Sequence, residues 1–539
     1  MFAVSVRMGR RCRRQCDTRR EQIVKATDLG KVRSTLWAAA DEFRANSKLT
    51  SVQYRNPVLG LVFLAYAESR FDAIKPEVGA GHSPRNPVTP ADYKAKSALW
   101  LPDESRLSYL ADLPEAEDLG KAVDEAMKAI EAANPELKDI LPRGYLRLER
   151  STLIELLRLF APLPSQLGGD AFGLIYEDFL NNFAAQEGKG GGEYFTPESI
   201  VRLIVEILEP FEGRVLDPAC GSGGMFVQSA QFVERHHGSA ARKLTIFGVE
   251  QKDDTVPLAK MNLALHGLSG DIRQANSYYE DPHAAVDAFD FVMANPPFNV
   301  DKIKKEQLAG DRRFPFGMPK ADNGNYLWIQ EFYAALSPRG RAGFVMANSA
   351  GDAGHSEKAI RQQLVETGAV DVMVAISSNF FYAVTLPVTL WFLDKGKLGT
   401  PREDTVLFID ARHVYNQIDR AHRDFRSEQS EFIANIVRMN RGEKVETDGG
   451  SSELLAASFP DGEYVDVPGL CKLATRAEIE AQGWSLNPGR YTGSAAIDEN
   501  DEDFTVKLEA LYEEFTRLSA DAEVLRARVD AALTGIIEA

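Results

Sequence analysis

At 539 residues the chain is too long for one hydrophobic core, and two to four structural units are expected. Its 44% hydrophobic and 26% charged residues exclude a disordered or fibrous protein. A net charge of −17 argues against a protein that grips duplex DNA unaided over a broad basic surface, because phosphate neutralisation supplies much of that affinity. An acidic chain can still act on DNA if its basic residues gather on one face, or if a partner holds the duplex.

Residues 1–26 are the basic exception, with Arg7, Arg10, Arg11, Arg13, Arg14, Arg19 and Arg20 crowded together. No apolar region follows them, so a signal peptide is not expected. A disordered extension is the simpler reading and a nucleic-acid-binding arm the sharper one. From 27 to 167 the pattern is helical, and Val32, Leu36, Ala40 and Phe43 mark one amphipathic face. The apolar run 58–71 contains Tyr66, Glu68 and Arg70, is too short to span a bilayer, and reads as a buried helix. Further helices are predicted at 118–133 and 151–159.

After the glycine-rich stretch 188–192, short apolar runs alternate with helix-length segments. Strands are predicted at 214–216, 244–249, 289–294, 341–347, 370–376 and 388–393, with one more at 405–409. This alternation implies βαβ units and a mostly parallel sheet covered on both faces, within a domain spanning 168–470. In the tail, 471–539, residues Phe504, Leu508, Leu511, Phe515, Leu518, Ala522, Leu525, Val529 and Ala532 form a heptad seam. So narrow an apolar stripe fits a partner helix, on another subunit or on the chain's own domain. Cys12, Cys16, Cys220 and Cys471 are scattered, without metal-ligand spacing; no metal and no disulfide framework are expected, and a reducing cytoplasm fits.

Three constellations carry chemistry. In the first, the strand at 214–216 ends in Asp217-Pro218-Ala219-Cys220-Gly221-Ser222-Gly223-Gly224, a turn that lets backbone approach a ligand closely. In the second, the next strand ends in Glu250, placed to accept hydrogen bonds from ribose hydroxyls. The third, Asn295-Pro296-Pro297-Phe298, directly follows an apolar strand. Two prolines stiffen the backbone and remove amide donors. An amide oxygen beside a rigid carbonyl can accept both hydrogens of one –NH₂ group, and Phe298 can stack on a planar ring. Each pattern alone has a plain structural reading: a packing turn, a surface glutamate, a proline-rich turn over a buried ring.

Together they resemble the amino-methyltransferases of DNA. The segment Gly192-Glu193-Tyr194-Phe195-Thr196-Pro197 is similar to the family's motif that closes over the methionine half of the cofactor. The helical N-terminal region, Phe172-Gly173-Leu174-Ile175-Tyr176-Glu177 and Trp484-Ser485-Leu486-Asn487-Pro488 resemble modification (methyltransferase) subunits of type I restriction-modification systems. The resemblance implies a Rossmann-like α/β methyltransferase fold with a mostly parallel seven-stranded sheet, an α-helical N-terminal domain and a C-terminal helix. It implies adenine-specific methyl transfer to N6 in a defined DNA sequence, with S-adenosyl-L-methionine as cofactor. Implied partners are double-stranded DNA, a second modification subunit, a restriction subunit, and a specificity subunit met through the C-terminal helix and N-terminal domain; no membrane is implied.

Cofactor binding is thereby expected of Glu193, Tyr194, Phe195, Thr196, Pro197, Asp217, Gly221, Ser222, Gly223, Gly224, Glu250 and Asn276. The last stands, beside Ser277, where the family often has an acidic residue. Asn295, Pro296, Pro297 and Phe298 are expected to be catalytic, and Phe298 and Phe381 to stack on the base, the latter within Ser378-Asn379-Phe380-Phe381-Tyr382. The basic segment Lys302, Lys304, Lys305, Arg312, Arg313 and Lys320 is read as a loop that meets DNA phosphates. Related motifs act on protein glutamine or ribosomal RNA guanine, cytosine N4 methylation usually puts Ser in place of Asn295, and an inactive scaffold subunit would keep the fold; those alternatives stay open from the sequence.

Overall fold

The computed structural model describes residues 51–493 apart from 162–195 and the short stretches 81, 84, 97, 115–116, 238–242, 321–322, 382–385 and 420–421. The basic residues 1–26, the helix at 32–43, Glu193, Tyr194, Phe195 and the heptad seam lie outside the described residues.

Helix α1 (Ser51–Gly79) carries the long apolar run, and Val58, Leu59, Leu61, Val62, Phe63 and Leu64 are fully buried on all sides of it. A helix apolar all round belongs in a core rather than on a surface. Among the described residues no helix is long and apolar enough to cross a membrane. The carbonyl of Pro57 accepts the Tyr145 hydroxyl at 2.9 Å, a close approach that Gly60 permits because a Cβ there would collide with that hydroxyl. Helices α2 (Leu119–Ala133) and α3 (Arg150–Phe160), with the short helices Pro90–Lys94 and Leu107–Ala111, belong to the same helical unit.

The remainder alternates as predicted. In chain order come α4 (Glu198–Leu208), β1 (Gly213–Asp217), α5 (Gly224–His237), β2 (Leu244–Glu250), α6 (Val256–Leu265), β3 (Gly270–Gln274) and β4 (Phe289–Ala294). Next are α7 (Asn325–Ala335), β5 (Leu336–Ala347), α8 (His355–Glu366), β6 (Val370–Ile376), β7 (Val388–Asp394) and β8 (Thr405–Asp410). A two-residue ladder, β9 (Asn416–Gln417) with β10 (Arg423–Asp424), precedes α9 (Ser427–Arg441) and β11 (Cys471–Thr475).

The sheet has nine strands rather than seven, in the order β11-β8-β6-β7-β5-β4-β1-β2-β3. From β3 to β5 every pairing is parallel, whereas β7 runs antiparallel to both β5 and β6. The seven strands predicted from the sequence are all present; β8, one of them, joins parallel to β6, while the two unpredicted strands, β3 and β11, form the edges, β11 antiparallel to β8. The sheet therefore runs past residue 470, where the sequence pattern suggested that the catalytic unit ends. Strands β6 and β7 are buried along their whole length, which is why they read as unbroken apolar runs.

One buried cluster joins the two units, and one buried ion-pair network braces the sheet unit from within. Leu258, Met261, Ala264 and Leu265 of α6 share one buried cluster with the N-terminal helices. On β6 the buried Asp371 meets Arg441 of α9 at 2.9 Å, Arg402 at 2.9 Å and Lys397 at 3.8 Å. Burial alone would raise the pKa of Asp371, but these cations outweigh it and hold the carboxylate well below its ordinary range.

Candidate active site

Strands β4, β1 and β2 are neighbours, so their carboxyl ends set Asn295, Asp217 and Glu250 along one edge of the sheet. In an open parallel sheet that edge is where ligands bind. The turn after β1 is held from both sides. Cys220 N–H donates to the Val249 carbonyl at 2.9 Å and Gly221 N–H to Glu250 Oε2 at 3.0 Å. Glu250 Oε1 accepts from Lys252 N–H at 2.8 Å, so one carboxylate braces the turn of β1 and the start of its own loop.

From below, Asn262 of α6 donates to the Ser222 carbonyl at 2.9 Å, and Ser277 Oγ donates to the Pro218 carbonyl at 2.6 Å. Gly221 and Gly223 take positive φ of 52° and 80°, a region costly for residues with a Cβ. Among the described residues, no atom lies within 4 Å of where a Cβ on Gly221 or Gly224 would stand, so backbone there can be approached closely.

Asp217 is 1% exposed, and its Oδ1 accepts from Ala219 N–H at 2.9 Å. Burial pushes its pKa up to about 8, with the Ala219 amide pulling it down and the Glu250 charge adding to the rise. The same burial pushes the Cys220 thiol well up, which disfavours its thiolate form. Asn276 is half-buried; its Oδ1 accepts from Tyr278 N–H at 3.1 Å and its own N–H donates to Glu280 at 3.0 Å. Thr196 and Pro197, the described end of the motif preceding β1, stand at the start of α4, which Pro197 caps.

Beyond β4, Asn295 has a buried Oδ1, Pro296 is buried, and Phe298 is partly buried between two core clusters. Asn299 follows in the left-handed region, φ 55°, and is bound to Asn325 at the first residue of α7. The remaining stacking candidate, Phe381, is 4% exposed and lies in the core, as does Phe380, whose ring meets that of Phe425 at 4.6 Å. Tyr382 is outside the described residues.

The basic segment divides. Lys302, Lys304, Arg312 and Lys320 are exposed and Lys305 half-buried. Arg313, read from the sequence as a phosphate contact, is instead 3% exposed and turned inward. Its guanidinium donates to Asp311 at 2.7 Å and to the carbonyls of Ser277 at 2.5 Å and Glu280 at 3.0 Å. Sequence reasoning also missed Asn262, Asn299 and Asn325. A buried asparagine within the apolar helix Val256–Leu265 is the one signal that pointed to any of them.

The profile of a family described as N-6 DNA Methylase matches residues 167–500, and that of the HsdM N-terminal domain matches residues 32–160. This chain belongs to the N-6 DNA methylase family. It is similar to the type I restriction enzyme MjaIX methylase subunit of Methanocaldococcus jannaschii, 34% identical across 92% of this chain and 89% of that one. The type I restriction enzyme HindI methylase subunit of Haemophilus influenzae is 36% identical across 82% of this chain and 99% of its own length.

In fold, the chain resembles the type I restriction-modification methyltransferase subunit of Streptococcus thermophilus, with a TM-score of 0.67 at 20% identity, over 86% of this chain and 99% of that one. Family membership makes it an adenine-specific DNA methyltransferase of the type I modification class. That selects DNA over the protein-glutamine and ribosomal-RNA readings the motif left open.

Proposed function

We propose that the edge formed by β2, β1 and β4 binds S-adenosylmethionine and an adenine flipped out of duplex DNA, and aligns the adenine N6 with the methyl group. The observation that carries this reading is the adjacency of Asn295-Pro296-Pro297-Phe298 to the Gly221–Gly224 turn braced by Glu250. The close approach that Gly221 and Gly224 permit fits a ligand lying on the turn. The carboxylate of Glu250 at the end of β2 suits a cofactor that carries a ribose diol. When bound, that cofactor supplies an electrophilic methyl group on a sulfonium.

The chain's own residues then hold and orient. Glu250 binds the ribose hydroxyls, Asp217, Gly221, Ser222, Gly223 and Gly224 line the turn, and Asn276 meets the cofactor's adenine. Glu193, Tyr194, Phe195, Thr196 and Pro197 close over its methionine half. Asn295 Oδ1 and the Pro296 carbonyl accept the two N6 hydrogens, Pro297 stiffens the loop, and Phe298 stacks on the extruded base. Phe381 is assigned to the same wall by resemblance. Such stacking contributes about 1–3 kcal/mol, set against a flipping cost of a few kcal/mol. No dedicated general base is required, since the methylated ammonium product sheds its proton readily to solvent.

Relatives named as methylase subunits of type I restriction enzymes support assembly into a larger complex, in which a second modification subunit, a restriction subunit and a specificity subunit join this chain, the last through its C-terminal heptad helix and its N-terminal domain. The test is to co-express the chain with its neighbouring genes and map methylated adenines across the host genome. Methylation in a split, two-part sequence that disappears with Asn295→Ala supports the reading. Full methylation by Asn295→Ala removes it.

A further inference from the structure

Two prolines stiffen the loop after β4 from within, but a stiff loop is accurate only if its far end is also held. That end is Asn299, one residue beyond Phe298, with φ 55°. Asparagine tolerates this conformation better than most residues, yet something must hold it there. The holder is Asn325, 3% exposed at the first position of α7. Its Oδ1 accepts the Asn299 N–H at 2.8 Å while its Nδ2 donates to Asn299 Oδ1 at 3.0 Å.

The reciprocal pair closes a ring of two hydrogen bonds, so it fixes direction as well as distance. It is reinforced from the same side. Asn323 Nδ2 also donates to Asn299 Oδ1 at 3.0 Å, Asn325 N–H donates to Asn323 Oδ1 at 2.8 Å, and Gly324 N–H donates to the Val300 carbonyl at 2.9 Å. Helix α7 is itself a firm base: Tyr326, Leu327, Ile329, Gln330 and Phe332 are fully buried beneath the sheet. Glycine at 324 allows this close approach, because a Cβ there would collide with the Tyr278 hydroxyl and Ile303.

We propose that Asn325 is the positioning residue of the transfer loop, clamping Asn299 so that Phe298, Pro296 and Asn295 keep the geometry that methyl transfer demands. This rests on the assignment of Asn295-Pro296-Pro297-Phe298 to the transfer step. Asn325 touches neither substrate nor cofactor in this reading; it acts through Asn299.

The experiment uses the full chain purified with its co-expressed complex. It follows methyl incorporation into DNA from a host lacking the system, with cofactor affinity measured by calorimetry. Asn325→Ala is expected to lower kcat on the order of 10²-fold, the scale of a small misplacement of reacting groups, with cofactor Kd and KM for DNA within about threefold. Asn325→Asp keeps the acceptor for Asn299 N–H but loses the donor, and should recover part of the rate. Asn299→Ala should lose as much as Asn325→Ala, and the double variant should lose little more than either alone.

A folded Asn325→Ala enzyme with kcat within twofold of the parent overturns the proposal, as does strict additivity of the two alanine variants. Losses of kcat, cofactor affinity and thermal midpoint in parallel, without recovery in Asn325→Asp, would mean a merely structural role and also overturn it. If Asn325→Ala does not fold, Asn299→Ala and Asn325→Asp carry the same test. Asn295→Ala run alongside separates the two readings: full activity there removes the transfer-loop assignment itself, whereas an inactive Asn295→Ala beside a normal Asn325→Ala removes only the clamp.

Discussion

Glu250→Gln is the substitution whose consequence is best defined by the geometry. The native carboxylate accepts Gly221 N–H at 3.0 Å and Lys252 N–H at 2.8 Å, one on each oxygen, and a carboxylate oxygen can accept a second hydrogen bond, here proposed to come from a ribose hydroxyl. Glutamine retains the shape but has one acceptor oxygen, so its –NH₂ must face either an amide donor or the ribose. Two charge-assisted hydrogen bonds are lost or weakened, each contributing about 1.5–3 kcal/mol. Part of that returns through water when the site is free, because both amides lie near the open edge. The net loss on binding is then about 3 kcal/mol, roughly 10²-fold in Kd for S-adenosylmethionine.

Calorimetric titration of the purified chain with the cofactor reads this directly, and the thermal midpoint without cofactor reports whether the turn has collapsed. The expected result is a large rise in Kd with a small change in midpoint. A Kd within threefold of the parent value would refute the ribose assignment. An equally weakened binding accompanied by a strongly lowered midpoint would mean that Glu250 serves only the turn.

Other expectations follow from burial and charge. Asp217 has its pKa raised by burial to about 8, above its unfolded value of about 3.9, so its contribution to stability is complete below that unfolded value and is lost as pH rises through the folded one. Asp217→Asn should flatten the decline in stability between about pH 6 and 8, measured by urea midpoints; a decline as steep as the parent's would contradict the assignment. Asp371 has the opposite sign. Its depressed pKa gives stability above the unfolded value that is lost in acid, and Asp371→Asn leaves Arg441, Arg402 and Lys397 facing one another, costing about 3–5 kcal/mol. An unchanged denaturation midpoint would exclude that reading. Changing Lys302, Lys304 and Arg312 to Ala should reduce the salt dependence of DNA affinity without altering cofactor Kd, whereas Arg313→Ala should lower thermal stability instead.

That last contrast shows what a linear pattern can and cannot carry. The Gly221–Gly224 turn and the Asn295-Pro296-Pro297-Phe298 loop were legible because each needs unusual backbone chemistry within a few adjacent residues. Strands β4, β6 and β7 were legible because burial on both faces demands unbroken apolar runs. Strand β3 was not, since it is an edge strand with Ile272 alone buried among Gly270, Asp271, Arg273 and Gln274. Nor was β11, half-buried at the opposite edge.

Arg312 and Arg313 are adjacent and chemically identical in the sequence, yet one is exposed and the other is fastened by the Ser277 and Glu280 carbonyls some thirty-five residues upstream. Asn325 and Asn299 likewise lie 26 positions apart, each an unremarked polar residue until the fold joins them. Both pairings link the loop after β4 to another segment of the same edge: Arg313 to the segment after β3, Asn325 to the helix before β5. The chemistry proposed to touch a substrate is readable because it is local. The positioning that makes it accurate is a product of tertiary contacts, and so had to come from the fold.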